Sequence, residues 1–349
     1  MKESLFVKGD DHMPLIEKEL TQPLSLCDQN GSLLPEAVGW SRYPLHDCQF
    51  SGHWLRRKKW NFWFITAPEC AMSIAMVHLD YAGIVFVHFI DLTTGETADS
   101  AVTVPFGAGI RLGATVDEPC HFASRKLSVS FHPEASGTSV QATTICPGDK
   151  LLSLDIVIDP PAESLNVVIP WSAERFQFTS KQMARPVHGT ISYNRKTYLL
   201  DQQNTFASLD FGRGVWPYHT RWNWTTCSFR HAEGVAGFNF GKGWTDGTGM
   251  TENGLMIDGV LYKLSEQMRF SYDPENRMLP WTLASEESSA VRLTFTPLFA
   301  RTEHKNFALV RTTLHQVIGR YDGTLSTPDG KTIMVQNKIG ICEEQNARW

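Results

Sequence analysis

The sequence contains no Cys-x-x-Cys pair: its seven cysteines, at positions 27, 48, 70, 120, 146, 227 and 342, stand far apart and in odd number. That spacing excludes a zinc knuckle and a disulfide scaffold and predicts reduced, mostly buried thiols. A long apolar run is also missing. The most apolar region, 65–90, is interrupted by Glu69, His78, Asp80 and His88, so no helix there spans a bilayer. The first eleven residues carry Lys2, Glu3, Lys8, Asp10 and Asp11 and never develop the apolar stretch of a secretory signal, which makes the cytoplasm the expected location. Charge of one sign is not in excess either. With 32 Lys and Arg against 37 Asp and Glu, the net charge of −5 gives no footprint for phosphate backbones, and nucleic acid is not an expected partner. The one basic run, Arg56-Arg57-Lys58-Lys59, is expected to be a solvated turn ahead of a strand. There is no Gly-x-Ser-x-Gly elbow, and Gly241-Lys242-Gly243 lacks the Walker spacing. Gly107-Ala108-Gly109 with Gly113 runs into Pro119 with no helix behind it, so a dinucleotide fingerprint fails and no cofactor is expected.

Large rings and period-2 patterns are abundant instead. The 349 residues include 11 Trp and 20 Phe, and 42% are hydrophobic, enough for two globular cores. Residues 73–80 and 84–91 are β-rich runs joined by Tyr81-Ala82-Gly83, the pattern of a hairpin. Leu127, Val129 and Phe131 alternate with serines, and Leu152, Leu154, Ile156 and Ile158 continue the alternation. Asp159-Pro160-Pro161 and Pro170-Trp171 then break it. Strand patterns return at 190–193, 235–240, 255–264, 291–299, 307–314 and 331–336, and Asp258-Gly259 is a strong two-residue hairpin turn. No segment carries a sustained helical stripe. The expectation is an all-β chain with little helix, built as two tandem antiparallel barrels or sandwiches. An irregular lead-in would occupy 1–40, a first β domain 41–170, and a second 171–349.

Chemistry concentrates in Asp210-Phe-Gly-Arg-Gly-Val-Trp-Pro-Tyr-His-Thr-Arg-Trp-Asn-Trp224. In an extended strand Trp222 and Trp224 share one face, while Arg221 and Asn223 share the other. With Trp216, Tyr218 and His219 they would line a ligand cavity; alternatively the indoles fill a core and the polar groups bond to backbone at a strand corner. Asn239, Glu252 and Asn253 add polar groups inside apolar strands. Glu252 or Asp210, desolvated between aromatic walls, would gain proton affinity and serve as a general acid. His315, at the end of the strand 307–314, is placed at a cavity mouth. His78, Asp80 and His88 would share a face if Asp80 paired with Ile84, but such residues coincide far more often than they bind metal, and no metal is expected.

The order Pro170-Trp171, Lys181, Pro186-Val187, Gly189, Asp210 to Gly214, Trp222-Asn223-Trp224, Asn239, Glu252-Asn253, Asp258-Gly259, Pro280-Trp281 and His315-Gln316 with Gly319 resembles the bacterial family of domain of unknown function 2804. More distantly it resembles calycin-like double-barrel proteins, among them carotenoid hydratases, tocopherol cyclases and AttH proteins. That resemblance implies two lipocalin-like barrels and, where there is chemistry, protonation of an alkene in a long apolar isoprenoid. The hydratase acid falls in a Trp-rich strand that aligns with 222–224, where this chain has Asn223, an amide that cannot act as a general acid. The leading expectation is therefore a protein that binds a hydrophobic or amphipathic small molecule in an aromatic-lined cavity. The alternatives are an enzyme for acid-assisted hydration, cyclisation or isomerisation of an alkene, and a protein–protein scaffold.

Overall fold

The computed structural model describes residues 15–307 and 310–349. Residues 1–14 of the expected lead-in, and 308–309 within the expected strand 307–314, lie outside the described residues. Alternation produces strands almost everywhere, and the helical content among the described residues is one 3-10 turn at Pro35–Ala37. No helix among them is long and apolar enough to cross a membrane.

The first strands in chain order are β1 (Leu24–Ser25), β2 (Trp40–Ser41), β3 (His46–Asp47), β4 (Arg57–Thr66), β5 (Cys70–His78), β6 (Ala82–Asp91), β7 (Thr97–Pro105), β8 (Cys120–Ala123), β9 (Leu127–Glu134), β10 (Gly137–Cys146), β11 (Lys150–Ile158), β12 (Leu165–Ser172), β13 (Arg175–Tyr193), β14 (Lys196–Leu200) and β15 (Phe206–Val215). They are followed by β16 (His219–Arg230), β17 (Val235–Lys242), β18 (Gly254–Ile257), β19 (Val260–Lys263), β20 (Met268–Ser271), β21 (Trp281–Ser285), β22 (Val291–Phe307), β23 (Val310–Ser326) and β24 (Thr332–Arg348). One antiparallel sheet runs β7-β6-β5-β4-β15-β13-β11-β10-β9-β8, with β12 and β14 also on β13 and β2 on β12; a second runs β19-β18-β17-β16-β24-β23-β22-β21-β20.

Each sheet curls on itself like a half-barrel. In the first, Ser100 on β7 meets Thr144 on β10 at 2.7 Å between hydroxyls; in the second, Asn253 before β18 donates to the Glu266 carbonyl before β20 at 2.8 Å. The first sheet wraps a core that includes Met72, Phe89, Phe131 and Phe178, and the second wraps Phe238, Trp281, Phe295 and Tyr321. All seven cysteines are buried and unpaired, and burial holds their thiols above the ordinary range.

Three local expectations need correction. The division near residue 170 falls inside the first sheet: β13 and β15 sit at its centre, with Asp210 paired to Phe62 of β4, and the sheets part between Val215 and His219. Pro170 marks a bulge in β12, not a linker, which proline tolerates because a bulge leaves a backbone position unpaired. In the β5–β6 hairpin Val77 pairs with Ile84, while Asp80 lies in the turn with φ of 66° and His88 bonds Asp99 at 2.7 Å. The supposed metal face therefore never forms. Lastly, β22 to β24 are 17 residues each, because bulges after Pro297 and Tyr321 let the ladder continue through them. The Asp258-Gly259 hairpin joins β18 to β19 with both turn residues at positive φ, 52° and 84°, the backbone of a type I′ turn.

Candidate functional site: an indole seam between the sheets

The first sheet meets the second through one face of β4, β15 and β13. Side chains alternate, so Lys58, Trp60 and Phe62 of β4 point together. The register places Lys58, Gly214 and Gln177 in one row, Trp60, Gly212 and Thr179 in the next, and Phe62, Asp210 and Lys181 in the third. The two glycines make room. A Cβ on Gly212 would lie 2.3 Å from two ring carbons of Trp60, and one on Gly214 would lie 2.4 Å from Gln177 Oε1. Gly212→Ala is expected to cost about 2 kcal/mol through overpacking, read as a lower midpoint in urea unfolding; a change below about 0.5 kcal/mol would mean that the Trp60 ring shifts freely.

From the second sheet, β16 sends Trp222 and Trp224 to the same seam, and β24 sends Glu343, the register partner of Trp224. Trp224 meets Phe62 edge-on across the gap, with ring centroids 5.7 Å apart. Trp216, on the crossover from β15 to β16, is only 3% exposed and touches Trp60, Trp171, Trp222, Trp244 and Trp349 at 5.0–5.6 Å between ring centroids. Its indole N–H donates to Gln177 Oε1 at 2.7 Å. Trp60, Trp171, Trp222 and Trp349 remain half-buried, so the cluster has a solid centre and a partly open rim.

Below the rings lies buried charge. Lys181 Nζ stands 2.8 Å from Asp210 Oδ1 and 2.8 Å from Glu252 Oε2, and 5.2 Å from the centre of the Trp224 ring. Glu252, 1% exposed, also accepts from the Trp244 indole at 2.6 Å. Trp224 donates to Asn239 Oδ1, and the Asn239 amide donates to the Glu252 carbonyl, each at 2.8 Å. Burial works against the Lys181 ammonium, yet the two carboxylates hold its pKa above the ordinary lysine value. Burial raises Glu252, Lys181 opposing and Asp210 adding. Glu343 is a further buried acid: its oxygens accept from Trp222 Nε1 at 3.0 Å and Gln316 Nε2 at 3.2 Å. Burial nonetheless pushes it up to about 7.

Asp210, Trp216, Trp222, Trp224, Asn239 and Glu252 thus come together. Asn253 lies beside them but bonds backbone, accepting from Gly241 N–H and donating to Glu266. The other expected contacts lie elsewhere. Arg221 is exposed and pairs with Glu344; His219 bonds Asn346; Tyr218 is half-exposed beneath Arg56; and Asn223 turns to the opposite face, toward the Tyr272 hydroxyl at 3.1 Å. His315 stands in mid-strand on the face away from Gln316, against Thr302, instead of at a cavity mouth. Trp216 is the packed centre, not a cavity floor. Two defined cavities lie elsewhere: one of ≈ 270 Å³ in the first barrel, beside Trp63, Phe131 and Arg185, and one of ≈ 480 Å³ beside Lys59, His78 and Arg111. Glu343, Trp244 and Trp349 were not singled out in the sequence, Lys58 was expected in a solvated turn but is buried in β4, and Lys181 entered only through the family pattern.

Residues 17–349 match the family model described as Domain of unknown function (DUF2804). No curated protein matches the sequence. Among solved structures the chain is similar to a putative AttH from Nitrosomonas europaea, at 12% identity and TM-score 0.47, covering 83% of this chain and 92% of that one. It is similar also to kievitone hydratase from Nectria haematococca, at 9% identity and TM-score 0.44, covering 82% and 88% of the two chains. A third is CghA, at 10% identity and TM-score 0.46, covering 97% of each chain.

Proposed function

The chain belongs to the DUF2804 family, and from the geometry of its own seam we propose that it binds a hydrophobic or amphipathic small molecule against the half-buried indoles. The observation that carries this reading is the cluster beneath Trp224 of buried Lys181 and Glu252 with half-buried Asp210. Taking charged groups such as Lys181 and Glu252 out of water costs several kcal/mol each before they pair, and apolar residues of similar volume stabilise a core as well or better. A fold that needed only to pack would have no use for them, whereas perturbed titratable groups gather where ligands are handled. The rim of Trp60, Trp171, Trp222 and Trp349 supplies apolar area, and the polar groups below orient one end of the guest. The test is titration of intrinsic fluorescence with farnesol and dodecan-1-ol. Saturable quenching is expected, weakened about tenfold, the equivalent of about 1.4 kcal/mol, in Trp222→Leu. Absence of saturable quenching by any apolar probe would remove the reading.

The raised proton affinity of Glu252 and Glu343 favours a second reading, acid-assisted hydration, cyclisation or isomerisation of an alkene in the same seam. Glu343, pushed up to about 7, can deliver its proton to a double bond, and the Trp222 and Trp224 faces would stabilise the cationic carbon that forms. Incubation of farnesol with the protein in deuterium oxide separates the two readings. Carbon-bound deuterium that disappears in Glu343→Gln supports catalysis; an unlabelled alcohol recovered intact supports binding alone.

A further inference from the structure

The β4 end of the seam gathers four buried polar atoms without a hydrogen-bond partner among the described residues: Lys58 Nζ, Tyr81 Oη, Trp349 Nε1 and Arg56 Nε. Each can donate. Lys58 is 0% exposed, and its Nζ lies 4.5 Å from the Tyr81 ring centre and 5.5 Å from that of Trp349. Arg56 is held in place by two backbone oxygens, that of Trp349 at 3.0 Å and that of Trp216 at 2.9 Å, which leaves its Nε unused. Asp80, the side-chain carboxylate that bears on Lys58, is engaged by Arg57 at 3.0 Å. Burial pushes the Lys58 amine down to about 7, Arg56 adding and Asp80 opposing. Buried donors without acceptors, the Lys58 ammonium above all, are costly to maintain. Water would fill the hydrogen bonds but leave the charge uncompensated. An anion answers both needs at once.

We propose that Lys58, Tyr81, Trp349 and Arg56 form the binding site for the anionic headgroup, a carboxylate or phosphate, of an amphipathic ligand whose apolar body lies along the indole rim. This deepens the seam-binding reading and rests on it. Trp349 joins the two parts, since its ring meets Trp216 at 5.5 Å and Trp222 at 5.9 Å. From Lys58 to Phe62 the strand advances about 13 Å, so a ligand anchored at Lys58 extends past Trp60 toward Lys181 and Glu343.

Fluorescence titration of the full chain with sodium dodecanoate, dodecyl phosphate, dodecan-1-ol and inorganic phosphate tests the assignment. The two amphipathic anions are expected to bind at least about tenfold tighter than the alcohol, and inorganic phosphate far more weakly than either. In Lys58→Met the preference for anions disappears while the affinity for the alcohol stays. Should that variant fail to fold, Tyr81→Phe decides: it removes one donor and nothing from the indole rim, and weakens dodecanoate about threefold or more without affecting the alcohol. Equal binding of acid and alcohol by the unaltered protein, or a preference that survives Lys58→Met, overturns the headgroup site and leaves the seam reading standing. Inorganic phosphate binding as tightly as dodecyl phosphate overturns it in favour of a free-anion site. If none of the four binds, both readings fail.

Discussion

Lys181→Met is expected to lose about 3–5 kcal/mol of folding stability at pH 8, because it leaves Glu252 buried, and Asp210 half-buried beside it, with no counter-ion. Lys181 is 3% exposed and its ammonium bridges a carboxylate on β15 to one on the loop before β18, so a single side chain ties the two sheets together. Methionine fills nearly the same volume, so the loss is electrostatic and not a cavity. The pH dependence follows from linkage. Without Lys181 the Glu252 carboxyl is held higher still, so the folded chain binds a proton more readily than the unfolded one, and stability falls as pH rises through that range. The deficit relative to the unaltered protein therefore shrinks toward pH 5. Urea unfolding at pH 5 and pH 8 measures it, and Glu252→Gln combined with Lys181→Met should recover part of the loss at pH 8, exposing the pairwise coupling. A loss under about 1 kcal/mol at pH 8 would mean that water reaches these groups and that the seam is not a low-dielectric site.

How far these features could be foreseen varies by residue. The strands were legible where alternation was clean: the serines between Leu127, Val129 and Phe131 face away from the first core, as the pattern requires. The Asp258-Gly259 turn was legible because type I′ geometry needs residues that tolerate positive φ. Pro170 misled because a proline inside a bulge and a proline in a linker look alike in sequence. Lys58 misled more. In the run Arg56 to Lys59 four cations seem equally wet, yet alternation on β4 must send every second side chain inward, and the one that goes in is Lys58. Nothing local marks it. Glu343 and Glu344 pose the same problem: both are buried, but only Glu343 faces the indoles, while Glu344 pairs with Arg221 and Arg277 on the other side. Which of two adjacent identical residues serves the seam is decided by strand register, a long-range property set by β16 and β23.

Glu343 also gives the second large effect. Its carboxyl sits between the Trp222 indole and the Gln316 amide, with burial holding its pKa near 7 in place of 4.5. The two neutral donors on its oxygens do not offset that burial. Because the folded value is raised, the stabilisation is fully present below about pH 4.5 and is lost as pH rises through 7. Over that span the shift of about 2.5 pH units corresponds to about 3 kcal/mol. Glu343→Gln replaces the neutral acid by an amide of the same shape that donates at every pH. Its stability should match that of the unaltered protein near pH 4.5 and exceed it by about 3 kcal/mol at pH 8. Guanidinium unfolding of both chains across pH 4.5–8 resolves this: converging curves at the acid end and a widening gap above pH 6 are expected. Parallel curves would place the Glu343 titration in the ordinary carboxylate range and remove it as a proton donor. A widening gap, together with loss of deuterium transfer in the same variant, would show that the fold gives up stability at neutral pH to keep one proton beneath Trp222.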